Sequence, residues 1–193
     1  MRFSGLCALA LILAAGTATI GQGTTRNARA AYRPHFEQRY PAGPPITPAQ
    51  VRALIASRGA RATVQLLDRP GNRRDRWDTV LRGIATGNQA WLDLAPLIAE
   101  GTDAGTAEEY AIVLSDALVN NAAGTLRLAS AGGGDVTEVC IESGIETPLR
   151  QRRVYDAAAI EAVEALSAPD LQAAKAACLT SLRADAAAPG RSN

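Results

Sequence analysis

The sequence is short of the residues from which most catalytic and metal centres are built. Of 193 residues, one is His, one is Lys, one is Met and three are Cys. A single imidazole, His35, excludes multi-histidine zinc centres. No H-E-x-x-H, Walker-type G-x-x-x-x-G-K, G-x-S-x-G or C-x-x-C motif occurs, and Lys175 has no Ser three residues before it. Only eight aromatics are present, too few for a large aromatic-lined cofactor pocket. Strand formers are scarce as well. Val, Ile, Leu and Phe together number 41, whereas Ala alone numbers 40. Alanine favours helices and disfavours strands, so the expected fold is all-α with a thin, Ala-rich core. The length suits one domain, and the net charge of +1 does not oppose collapse.

The N-terminus reads as an address. Arg2 is followed by ten apolar residues, Leu6 to Ala15, and then by the small residues Gly16, Thr17 and Ala18. That is the pattern of a secretory signal peptide over 1–18. Ten helical residues span only about 15 Å, half a bilayer's hydrocarbon core, so a stable membrane anchor is not expected. The mature chain then starts near Thr19 in the periplasm or outside the cell. It keeps two cysteines, Cys140 and Cys178. An even pair in an oxidising compartment reads as a structural disulfide, since redox couples usually sit two residues apart.

Residues 19–46 read as a disordered basic arm, with Arg26, Arg29, Arg33 and Arg39, four prolines and few aliphatic residues. Within it Tyr32, Phe36 and Tyr40 fall at i, i+4 and i+8, the spacing of one helix face, which offers a place to fold against the domain or a partner. From Thr47 to about 185 the signals are helical. Thr47-Pro48-Ala49-Gln50 is a capping box with Pro at the first helical position, and Gly59 closes that helix. Further helices are expected over 60–68, 73–86, 89–99 (split at Pro96), from Thr106 to 118, and over 122–130. Asp135 opens a short helix through Cys140. Longer helices follow from Thr147-Pro148 to Ser167 and from Pro169 onward, and residues 186–193 read as a frayed tail.

The pieces pair as helix, small-residue turn, helix: Ile55 to Gly59 before Val64 and Leu67, Ile84 to Gly87 before Leu92 and Leu94, Leu118 to Asn121 before Leu126 and Leu128. Over residues 47–130 this resembles HEAT-like helical-hairpin repeats. The resemblance implies a short solenoid-like array; an irregular bundle accommodates the same pattern.

Charge is unevenly placed. Residues 19–82 carry twelve Arg against four acids, and residues 83–149 one Arg against ten acids. The mature total is zero, which does not suit a nucleic-acid binder. Glu138, Glu142 and Glu146 are spaced by four and form an acidic candidate site, for a cation or a basic partner segment, or else a solvated face answering Arg150, Arg152 and Arg153. No bound metal or cofactor is expected. The sequence therefore reads as an exported helical interaction protein, of inhibitor or immunity type, that binds another protein. Its candidate partner-binding residues are Tyr32, Phe36, Tyr40, Glu138 and Glu142. The alternatives are a small carboxylate-dependent envelope hydrolase and a structural envelope component. A concave face with exposed Leu or Trp and one charge sign would favour binding. A cleft with converging carboxylates would favour the hydrolase.

Overall fold

A computed structural model describes residues 28–34, 46–69, 75–132, 135–141 and 147–188. The segment read as a signal peptide, Phe36, Tyr40, Glu142 and Glu146 lie outside those residues. The described chain is all-α with no strand. Its helices are α1 (Ala28–Ala31), α2 (Pro48–Arg58), α3 (Ala60–Leu67), α4 (Asp75–Ala85), α5 (Gln89–Leu92), α6 (Ala95–Ala99), α7 (Ala104–Asn120), α8 (Ala122–Ala131), α9 (Leu149–Glu164) and α10 (Gln172–Ala187). Two 3-10 turns, Val136–Cys140 and Pro169–Leu171, precede α9 and α10. The last helix thus runs two residues past the expected end of the domain at 185.

Local chemistry sets the ends. Thr47 caps α2 in a reciprocal box with Gln50, and Gly59 takes φ 81° where the chain turns into α3. Pro96 divides the apolar run at 89–99, as expected, because a proline is tolerated only in the first turn of a helix. Two starts differ from the sequence reading. The cap of α7 is Asp103, and Thr106 is its reciprocal partner: the Thr106 N–H donates to the Asp103 carboxylate at 3.2 Å, and the Asp103 N–H to Thr106 Oγ1 at 2.8 Å. Asp135 caps a 3-10 turn rather than an α-helix, accepting from the Thr137 N–H, and Glu138 stays outside the cap. The sole lysine ends α9, where Lys175 Nζ donates to the carbonyls of Glu164 and Leu166, each at 2.7 Å.

Thr106 and the neighbouring N–H groups hold the Asp103 carboxyl below its ordinary value, the side-chain hydrogen bond contributing most. A depressed folded value means stability that is complete above the unfolded value, about 3.9, and lost as pH falls through the folded one. Asp103→Ala is therefore expected to melt below the native protein at pH 7, with the gap closing as pH is lowered beneath 4. Thermal melts across that range check it.

Helix α7 is the hub. It packs against α4, α8 and α9, while α9 also receives α10 and α1. The periodic residues read from the sequence fill the centre: Trp77, Val80, Leu81 and Ile84 of α4, and Val113, Ala117 and Leu118 of α7, are fully buried. Tyr155 of α9 and Leu182 of α10 complete the core on the other side. The turns between hairpins are tied together. Asn120 Nδ2 donates to the Ala85 carbonyl and Asn121 Nδ2 to the Gly87 carbonyl, both at 2.8 Å. Gly101, after α6, lies against the α3 backbone, where a Cβ would come within 2.5 Å of the Ala60 carbonyl carbon. Two backbones cannot both give way, so Gly101→Ala should cost about 1–3 kcal/mol, measurable by urea unfolding.

Cys140 and Cys178 form a disulfide with a Cα–Cα separation of 5.5 Å, joining the 3-10 turn to α10. Both are fully buried on apolar faces, as their positions in the sequence require.

Candidate functional site

The stretch 19–46 was expected to be a disordered arm, and for residues 28–34 the structure corrects that. They form one helical turn and a docked tail across α7 and α9. The cause is Tyr32, which is only 5% exposed. Its hydroxyl donates to the carboxylate of Asp116, a fully buried residue of α7, and its ring meets Tyr155 edge-on at a centroid distance of 5.9 Å. Arg29 fixes the other end: its guanidinium donates to the Asn120 carbonyl at 2.8 Å and its backbone N–H to Glu161 of α9 at 3.2 Å. Tyr32 is thus part of the core rather than an exposed contact. The helix stops at Ala31, three residues before Pro34. Phe36 and Tyr40, read as sharing a face with Tyr32, lie outside the described residues.

Docking of α1 leaves an open groove beside it. One wall is Ala28 and Ala31 of α1. The other is Leu149, Val154 and Ala157 of α9, with Arg150 and Arg153 at the rim, and the groove holds about 460 Å³. Leu149 is 45% exposed, the largest exposure among the big apolar side chains described. Arg150 and Arg153 are exposed and form no ion pair with a described residue. The α9 positions recur at intervals of three and four, so they form one stripe along about two turns.

Two further clefts flank the clasp and α2. The first, about 430 Å³, lies between α1, α4 and α7 and is lined by Arg29, Arg33 and Arg82 with Tyr32, Thr86 and Asn120. The second, about 380 Å³, is lined by Ile46, Gln50, Ala53, Leu54, Ser57 and Arg76. Among the described residues each of these three linings contains Arg and no carboxylate.

Glu138 sits exposed on its 3-10 turn and pairs with none of Arg150, Arg152 and Arg153; Glu142 lies outside the described residues. Elsewhere in the acid-rich block the carboxylates serve the fold. Asp116 holds Tyr32, Glu109 accepts from the Trp77 indole at 2.7 Å, and Asp103 caps α7. Asp170, on the approach to α10, pairs with Arg127 at 3.0 Å; that guanidinium holds the Asp170 carboxyl below its ordinary value, chiefly through the hydrogen bond. Burial pushes the Tyr110 phenol up to about 12 while its hydroxyl donates to the Ala95 carbonyl. Among the described residues no three His, Cys, Asp or Glu side chains converge to hold a metal, and no helix is long and apolar enough to cross a membrane.

Leu149, Ala28 and Ala31 were not singled out by sequence. The available signal was Leu149 followed at i+4 by Arg153, an apolar residue opening an otherwise polar turn. The role of α1 as a wall depends on Tyr32 reaching a helix 84 residues away. No family model matches the chain, and no curated protein or solved structure matches it.

Proposed function

We propose that this is an exported helical protein that works by binding another protein, and that the groove between α1 and α9 is where it binds. One observation carries the reading: a concave strip with an exposed leucine and charge of a single sign. The hydrolase alternative needs converging carboxylates, and among the described residues these clefts have none in their linings. Export is supported by the apolar run at 6–15 with its small-residue end, and by a buried disulfide, which persists in oxidising compartments.

Two measurements test it. Mass spectrometry of the natural protein should find an N-terminus near Thr19 outside the cytoplasm; an intact Met1 on cytoplasmic protein would refute export. A photo-crosslinking residue at position 149, introduced in the native cell, should yield one reproducible adduct that the same residue at exposed Ala90 does not. Equal labelling from both positions would refute the groove as a docking site.

A further inference from the structure

We propose that the occupant of this groove is an acidic amphipathic helix of the partner protein, seated with its apolar face on Leu149, Val154, Ala157 and the α1 alanines and its carboxylates on Arg150 and Arg153. The inference rests on the docking reading above and adds the chemistry of the ligand.

Three features of the groove select a helix. It is a furrow between two helices rather than a closed pocket, so a small molecule would remain largely in water, whereas pockets for such ligands enclose most of their surface. Its α9 wall runs from 149 to 157, a rise of about 12 Å, or roughly two helical turns. Ala28, Ala31 and Ala157 are small, so nothing projects from the floor and a partner backbone can approach closely. Apolar anchors at i, i+3, i+4 and i+7 on a visiting helix match such a furrow.

Charge then selects the sign. Arg150 and Arg153 are three residues apart on the same stripe, both exposed and both without an ion-pair partner among the described residues. Guanidinium groups in that position take carboxylates in bidentate fashion and repel cations. Among the described residues the lining supplies no acid to balance them. A basic helix would bring like charges together over an apolar floor, which opposes its binding. An acidic helix pairs both arginines while covering Leu149.

The test uses the full-length mature protein and a synthetic fluorescent amphipathic helix of about four turns, with Leu at i, i+3, i+4 and i+7 flanked by Glu. A counterpart carries Lys in place of Glu. Anisotropy titrations should show the Glu peptide binding at least tenfold more tightly than the Lys peptide, with affinity falling as salt rises. The double variant Arg150→Glu/Arg153→Glu should reverse that preference, and Leu149→Ala should weaken both peptides severalfold. All three substitutions sit on exposed side chains, and an unchanged melting temperature confirms that the fold is intact. Equal affinity for both peptides, or an acidic preference that survives the charge reversal, overturns the proposal. So does binding of phosphatidylglycerol vesicles in place of the peptide, which would make the groove a lipid contact. If the adduct from position 149 forms in cells while the peptides show no charge preference, docking stands and the acidic helix falls. If no adduct forms, the docking reading itself fails.

Discussion

Tyr32→Ala is expected to destabilise the protein by about 3 kcal/mol, near the lower end for deleting a large buried aromatic side chain. The substitution removes a buried ring, its edge contact with Tyr155 and the hydroxyl that donates to Asp116. Two effects oppose each other in setting the size. Leaving a buried carboxylate short of a donor adds about 1–3 kcal/mol. Yet the clasp is a short segment, and once it lets go no further penalty accrues, so the loss is bounded by the free energy with which residues 28–34 dock. Tyr32→Phe separates the two, since it keeps the ring and removes only the hydroxyl. Urea unfolding gives the totals. Hydrogen exchange at the amide of residue 32, which donates to the Ala28 carbonyl, should show the clasp opening before the rest of the domain in the alanine variant. A Tyr32→Ala protein that unfolds with native stability would mean that the ring contributes nothing to the core.

The second large effect is that of the disulfide. Cys178→Ala should cost about 4 kcal/mol in the chain-entropy view, because the bond closes a loop of 38 residues. That loss falls within the 2–5 kcal/mol common for native disulfides of small domains and is a large part of a typical net stability. Gly133 and Gly134 precede the 3-10 turn at Val136–Cys140, and without the bond that turn is held by its packing and by the Tyr155 hydroxyl, which donates to the Cys140 carbonyl at 3.4 Å. The helices from α2 to α8 do not depend on it, so most far-UV helical signal should persist at low temperature while the melt shifts down. Melting with and without reductant, together with thiol counting, decides it. Two free thiols in unreduced protein would refute the pairing.

Much of the fold was legible because the helix signals are local. Thr47 with Gln50, Gly59, Pro96 and Asn121 each act within a few residues, and the apolar stripes of α4 and α7 repeat at the helical period. Both cysteines fell on apolar stripes, which implied that the two stripes meet. Thr106 was misassigned because two residues three apart can each play cap, and only Asp103 brings a charge to the helix N-terminus. The clasp was not legible for a different reason. Tyr32 satisfies its hydroxyl on Asp116 and its ring on Tyr155, 84 and 123 positions away, and no local pattern encodes such a meeting. The groove inherits that difficulty, since one of its walls exists only when the clasp is closed. The spacing of Glu138 and Glu142 by four carries meaning only on a continuous helix. The 3-10 turn ends at Cys140, before the second of them.

The clasp also fixes an order of events during synthesis. Residues 28–34 are among the first to be made, yet their seat is built from α7 and α9, and α9 is completed only at residue 164. The groove wall they provide is therefore a late product of an early segment. A nascent chain must carry Tyr32 unburied until most of its length has emerged, because N-terminal segments appear first during translation. The bond to Cys178 closes later still. A chain ending before α9 would leave the aromatic anchor with nowhere to go.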